Sequence, residues 1–246
     1  AANTLADVLG YHYYTELAHS AGMPKAQIEE PGLDPKTKVG RLVEHLGPIE
    51  NKIQYSWLIE MLNQLFDADV AGLNHDNWEA VYDRCAQKMQ QDNWSDQVLR
   101  RSKLEAVFLT NDFDDPLDGF DTSVYVPCLR TDDLVFHLRK ESVQRRLAQA
   151  TGHEPRDAKS VRAAIGALFT HFVGRSARAC AISLPPDFTP APMSDAAADA
   201  ALKRMLSAGE SADASDCRDV ARFVFWTLAE HCAEHRLPFD LMIGVN

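Results

Sequence analysis

The apolar positions change their period part-way along the chain. Up to about residue 103 they recur at helical spacing. Val39, Leu42, Val43 and Leu46 stand at i, i+3, i+4 and i+7, and Ile53, Trp57, Leu58, Met61, Leu62 and Leu65 make a second stripe. Both patterns predict amphipathic helices. An earlier helix is expected from a cap at Thr4 or Asp7 through Tyr13 to Ser20, stopped by Ala21-Gly22 with Pro24 beyond. Two more fall over 78–89 and 95–103.

From residue 104 the pattern becomes strand, loop, helix. Apolar runs over 104–109, 124–126, 179–184 and 239–245 read as buried strands. Helical patterns over 132–150, 160–173, 194–206 and 216–235 lie among them. Strands joined by helical crossovers must run parallel, and successive ones are expected to be neighbours in chain order. The fold class is therefore α/β, with a helical region at 1–103 and a β/α region at 104–246. Four parallel strands are too few for a closed barrel of eight, which suggests part of a TIM-type (β/α)8 barrel behind a helical insertion. Four strands alone would leave two open sheet edges. The chain opens on Ala1-Ala-Asn3 and closes on an apolar strand with nothing after it to pack on its far side. It is expected to belong to a longer protein or to take the missing strands from another chain, as in a homo-oligomer, and to be inactive by itself.

The formal net charge of −11 argues against nucleic acid as a main partner. It leaves room for a small anionic ligand, because one local arginine can override the global charge. Five well-separated cysteines, with no C-x-x-C pair, fit a reducing, cytoplasmic compartment. No stretch is long enough to span a membrane.

Candidate chemistry gathers at the carboxyl ends of the first two expected strands, where α/β folds place their sites. Thr110-Asn-Asp-Phe-Asp-Asp-Pro116 follows one strand and Tyr125-Val-Pro-Cys-Leu-Arg130 contains the next. Asp112, Asp114, Asp115 and Asp118 are read either as Asx-turns and caps around Pro116 or as a polar wall of a cleft. Arg130 carries a planar fork that matches a carboxylate in bidentate fashion. It is read either as an anion anchor or as the partner of Asp132 or Asp133. His12 and Tyr13 could serve as base and acid if they face a cleft. His231 and His235 share one helix face, a spacing able to hold a metal. They are read as a solvated helix end that complements the helix dipole.

Several segments in order resemble uronate isomerases. Leu9-Gly-Tyr-His-Tyr-Tyr-Thr-Glu-Leu17 resembles that family's early helix with its Gly-Asp-His-Tyr pattern. Pro48-Ile-Glu-Asn-Lys-Ile-Gln-Tyr-Ser-Trp57 resembles its Gly-Asn-Pro-Leu-Tyr-His-Trp region. Thr110-Asn-Asp-Phe-Asp-Asp-Pro-Leu-Asp118 is similar to Thr-Thr-Asp-Asp-Pro-x-Asp, and Val126-Pro-Cys-Leu-Arg130 to Leu-Pro-x-x-Arg-Pro-Asp. The resemblance implies the amidohydrolase superfamily, a metal-dependent (β/α)8 barrel, and aldose–ketose isomerisation of a hexuronate such as glucuronate or galacturonate in carbohydrate metabolism. It implies His12 and Tyr13 as catalytic residues. It implies substrate contacts from Arg130, Trp57, Asp112 and Asp115, with Arg130 on the sugar acid's carboxylate. The divalent metal it implies, zinc, has no ligands in this sequence: the family's His-x-His pair and its late-strand aspartate are expected outside it. Ser183-Leu-Pro-Pro186 stands where the family has Ser-Asp-His, and Met242 replaces the histidine of His-Ile-Gly. Those departures keep two alternatives open, a metal-dependent hydrolase of the amidohydrolase type and a non-catalytic acid-binding relative.

Overall fold

Side chains decide where the first helices begin and which face they bury. In α1 (Leu5–Gly10), the Asp7 carboxylate turns back to accept the backbone N–H groups of Asn3 and Thr4 at 2.8 and 2.9 Å. Asp34 accepts the Thr37 N–H at 2.9 Å and Pro35 opens the first turn of α3 (Pro35–Val43), two independent start signals at one helix end. Between and beyond these lie α2 (Tyr13–Ser20), α4 (Ile53–Phe66), α5 (Trp78–Met89) and α6 (Trp94–Ser102). The computed structural model describes residues 3–10 and 13–243, which divide into two units, 1–104 and 105–246. The first unit packs Leu5, Leu9, Val39, Leu42, Leu58, Leu62 and Cys85 into its own core.

Helix α4 corrects one expectation. Its buried stripe is Tyr55, Leu58, Leu62 and Phe66, while Ile53 and Trp57 are 59 and 55% exposed. The Tyr55 hydroxyl accepts the buried Leu73 N–H at 3.0 Å, which points that face of the helix inward and turns Trp57 outward.

In the second unit the expected first strand is cut short. Of the expected 104–109 only β1 (Val107–Phe108) is strand, and after Leu109-Thr110 a second short strand, β2 (Asn111–Asp112), forms inside the segment read as a loop. The next strand is longer than expected and interrupted: β3 (Tyr125–Val126), then Pro127, then β4 (Cys128–Arg130). Proline has no N–H for the ladder, so the pairing shifts across it. Arg130 thus ends a strand instead of following one. After α7 (Asp132–Phe136), α8 (Glu141–Thr151) and α9 (Ala158–Gly174) comes β5 (Ala179–Leu184). Then α10 (Asp195–Ala208) and α11 (Ala214–His235) lead to β6 (Phe239–Ile243). The main sheet runs β2-β4-β5-β6, β1 pairs with β3, and every pairing is parallel.

The sheet has two chemically distinct faces. Leu129, Cys180, Ile182 and Leu184 enter the core shared with α9, α10 and α11. Because side chains alternate along a strand, Cys128, Arg130, Ala181 and Ser183 lie on the opposite face. This is an open, parallel β/α arrangement of the (β/α)8 type, preceded by a helical region. Among the described residues β6 has no strand beyond β5 to pair with, and Ile243 on it is 67% exposed.

Candidate functional site

Pairing register places Asp112, Arg130, Ala181 and Asp240 in one row across the four strands of the main sheet. Register partners in a sheet present their side chains on the same face. The Cys128 thiol, two residues before Arg130 on that face, is pushed up by burial and then by the negative charge of Asp240, an independent sign that Asp240 looks the same way. Ala181 has almost no side chain, so nothing rises from the row between Arg130 and Asp240.

The Arg130 guanidinium is held by one nitrogen. Its Nε–H donates to Asp132 Oδ2 at 3.1 Å, while the other carboxylate oxygen of Asp132 accepts the Ser183 N–H of β5 at 3.1 Å. The second of the two sequence readings of Arg130, an ion pair with Asp132, is therefore present, but it leaves Nη1 and Nη2 without a partner among the described residues. Those two nitrogens are the prongs that grip a carboxylate. Arg130 lines a cavity of about 210 Å³ together with Asp112, Phe113, Asp132 and Asp133. The space is smaller than the roughly 300–1,000 Å³ of drug-sized sites.

The acidic loop divides its roles. Asp115 accepts Leu117 N–H at 2.7 Å and Asn111 Nδ2 at 3.0 Å, an Asx-turn around Pro116, so it serves the turn and does not line the cavity. Asp118 pairs with Arg175 at 2.7 Å. Asp114 meets Arg146 of α8 with both oxygens, at 2.7 and 2.6 Å, and that guanidinium holds its carboxyl below the usual range. Arg146 also reaches Asp133 at 2.8 Å and Asp112 at 3.5 Å, and lies over the Phe113 ring at 4.7 Å. Asp112 is the member of the loop that both lines the cavity and remains largely exposed.

Of the other expected site residues, His12 lies outside the described residues. Tyr13 is the first residue of α2, and its side chain lies outside them as well. Trp57 stands on the exposed face of α4 in the first unit. Sequence reasoning missed Arg146, Asp240 and the brace between Asp132 and Ser183. Asp240 was legible, since it alternates with apolar Phe239 and Leu241. Arg146 carried no signal, because its partners Asp112 and Asp114 are more than 30 residues away. The solvated reading of His231 and His235 is corrected too. Both rings stack on Phe169, at centroid distances of 5.2 and 5.6 Å. The residues around the cavity do not fit a zinc ion. No imidazole lines it, and the carboxylates there are engaged by Arg130 and Arg146.

Parallel strands with helices between the later ones define the class as a β/α arrangement of the barrel type. Solved structures narrow it. The chain superposes on glucuronate isomerase from Caulobacter crescentus with a TM-score of 0.84 and 16% identity, covering 98% of this chain and 53% of that one. Uronate isomerase from Thermotoga maritima gives a TM-score of 0.81 at 18% identity over 95% of this chain and 52% of that one. Uronate isomerase from Bacillus halodurans gives 0.67 at 19% identity over 99% and 53%. No protein-family model matches the sequence, and neither does any curated protein. The chain thus has the fold of uronate isomerases and spans about half the length of these solved relatives.

Proposed function

We propose that this chain carries the acid-binding part of a uronate isomerase-like enzyme, one that interconverts the aldose and ketose forms of a hexuronate. The observation that carries the reading is the Arg130 guanidinium at the carboxyl end of a parallel strand, braced through Nε and with both terminal nitrogens unpartnered among the described residues. A sugar acid's carboxylate docked on those nitrogens makes two parallel charge-assisted hydrogen bonds. Holding that end fixes the orientation of the open-chain sugar at the cavity. The isomerisation moves a proton between C2 and C1. His12 and Tyr13 are the groups we assign to that transfer, the imidazole as base near neutral pH and the phenol as acid. A divalent metal, zinc by resemblance, would supply polarisation of the sugar's carbonyl when bound. We assign no ligand of it to the Arg130 cavity.

One observation favours the acid-binding reading without isomerisation. Leu184, which is buried in the core, and Pro185 stand where the resemblance places the aspartate and histidine of Ser-Asp-His. The experiment is to titrate the protein with glucuronate, galacturonate and neutral glucose, then to assay the two acids for ketose formation. Selective binding with turnover supports the isomerase. Selective binding without turnover supports the acid-binding relative. Equal response to glucose and the acids would remove both.

A further inference from the structure

Among the described residues one group of His, Cys, Asp and Glu side chains is close enough to share an ion: His231, Glu234 and His235, whose ligand atoms all lie within 4.8 Å of one another. We propose that these three side chains form a structural site for zinc or a neighbouring first-row divalent ion, which clips the last turn of α11 before the chain turns into β6. The residues stand at i, i+3 and i+4 on a single helix face, the spacing at which helical side chains meet.

The surroundings hold the imidazoles in place. Phe169 of α9 stacks on both rings, and the rings stack on each other at 6.2 Å. Gly166 of α9 has no side chain, and a Cβ there would sit 3.4 Å from His231 Cε1 and 3.6 Å from Nε2, so that edge of the ring rests against α9. The other nitrogen, Nδ1, then faces Glu234. It is sealed from water and has no hydrogen-bond partner, although Glu234 Oε2 is only 3.2 Å away. A neutral ring with its lone pair at Nδ1 repels that carboxylate, and an N–H at Nδ1 is poorly aligned with it. A cation between nitrogen and oxygen satisfies both. Two imidazole nitrogens with one carboxylate oxygen form a donor set suited to zinc, cobalt or nickel. Ligand atoms at about 2.0–2.2 Å from a tetrahedral ion are roughly 3.3–3.6 Å apart, so the His231–Glu234 pair already stands near the required separation. Glu234 is exposed and free to swing, His235 completes the third position, and water takes the fourth. The site lies before the amino end of β6, whereas Arg130 ends β4 at its carboxyl edge, so in a parallel sheet the ion is remote from the Arg130 cavity.

The test uses untagged protein stripped with a chelator and titrated with Zn²⁺ by calorimetry, with Co²⁺ absorption as a report of ligand geometry. One ion per chain is expected, with Co²⁺ bands of a four-coordinate site. Losing an outer partner of a metal site costs about 10–100-fold in affinity, and His235→Gln, which removes a direct ligand, is expected to cost no less. Glu234→Gln, fully on the surface, is expected to weaken binding as well. Excess Zn²⁺ should raise the unfolding midpoint of the wild type by about 5–10 °C at a hundredfold excess over its Kd, and that of His235→Gln by less than half as much at the same concentration. Equal Zn²⁺ affinity in wild type and His235→Gln, or no binding at all, overturns the site.

Discussion

Two arginines stand near the carboxyl edge of the same sheet among the same aspartates, yet they are used in opposite ways. Arg146 is saturated. Its three nitrogens meet Asp114, Asp133 and Asp112, and its flat face covers Phe113. Arg130 spends one nitrogen on Asp132 and keeps two in hand. A guanidinium whose three nitrogens are all engaged holds structure. One that is oriented but unfilled is preorganised for an anion from outside. The contrast shows that the charge count around an arginine does not indicate its role; the number of unfilled donors, and whether something fixes their direction, does.

The largest expected effect comes from breaking the saturated arginine. Arg146→Ala removes the tie from three carboxylates that then face one another. A partner lost from charged hydrogen bonds costs roughly 1.5–3 kcal/mol, so the second unit should lose about 2–3 kcal/mol of stability. Urea unfolding followed by Trp226 fluorescence reads this, since Trp226 belongs to α11. Arg130→Ala, by contrast, should shift the same transition by less than about 0.5 kcal/mol. Equal losses in the two variants would erase the distinction.

Next in size is Arg130→Lys. The charge stays and the two-pronged geometry goes. A charge-assisted bidentate contact contributes roughly 1.5–3 kcal/mol, so affinity for a hexuronate should fall about ten- to a hundredfold with the unfolding midpoint unchanged. Unaltered affinity would show that the unfilled nitrogens are not a binding site.

The order and parallel sense of the later strands were legible because helical crossovers leave few topologies open, whereas the first connection, 113–124, contains no helix. The run Ala179–Leu184 is a strand over its whole expected length, since it is central and apolar on both sides. Strand ends were not legible at Leu109-Thr110, where β2 forms from the polar Asn111-Asp112, or at Pro127, where a short break shifts the pairing. Arg130 was legible as a candidate because a cation after an apolar run is conspicuous. Its state was not, since whether Asp132 takes one donor or all of them depends on rotamers. Arg146 was hidden for a different reason: its partners come from a loop more than 30 residues earlier, and only tertiary packing brings them together.

A smaller effect separates the two regions by acid. Arg146 holds the Asp114 carboxyl below its usual range. A carboxylate with a depressed folded pKa contributes stability that is present above its unfolded value, near 3.9, and is lost as pH falls through the folded value. Asp114→Asn should therefore be about 1–1.5 kcal/mol less stable than wild type at pH 7, with the gap closing below about pH 4. Denaturant midpoints of both proteins between pH 7 and 2 measure it. A gap that stays constant to pH 2 would mean that Asp114 acts through shape and not through charge.

The smallest expected effect tests what fixes the direction of Arg130. Asp132 serves two donors, Arg130 Nε–H and Ser183 N–H, with one oxygen each. Asparagine has one acceptor oxygen, so Asp132→Asn turns one of the two contacts into donor facing donor. The backbone N–H cannot move away and the arginine can, so the amide oxygen should stay with Ser183 and release Arg130. The guanidinium then keeps its charge but loses its fixed orientation. Hexuronate affinity should fall by about threefold to tenfold, roughly 1 kcal/mol, with a stability loss under about 1 kcal/mol. Adding Arg130→Lys to this variant should cost less than Arg130→Lys does alone, because both changes act on the same guanidinium. If the two losses simply add, Asp132 is a clamp between α7 and β5 with no part in aiming Arg130.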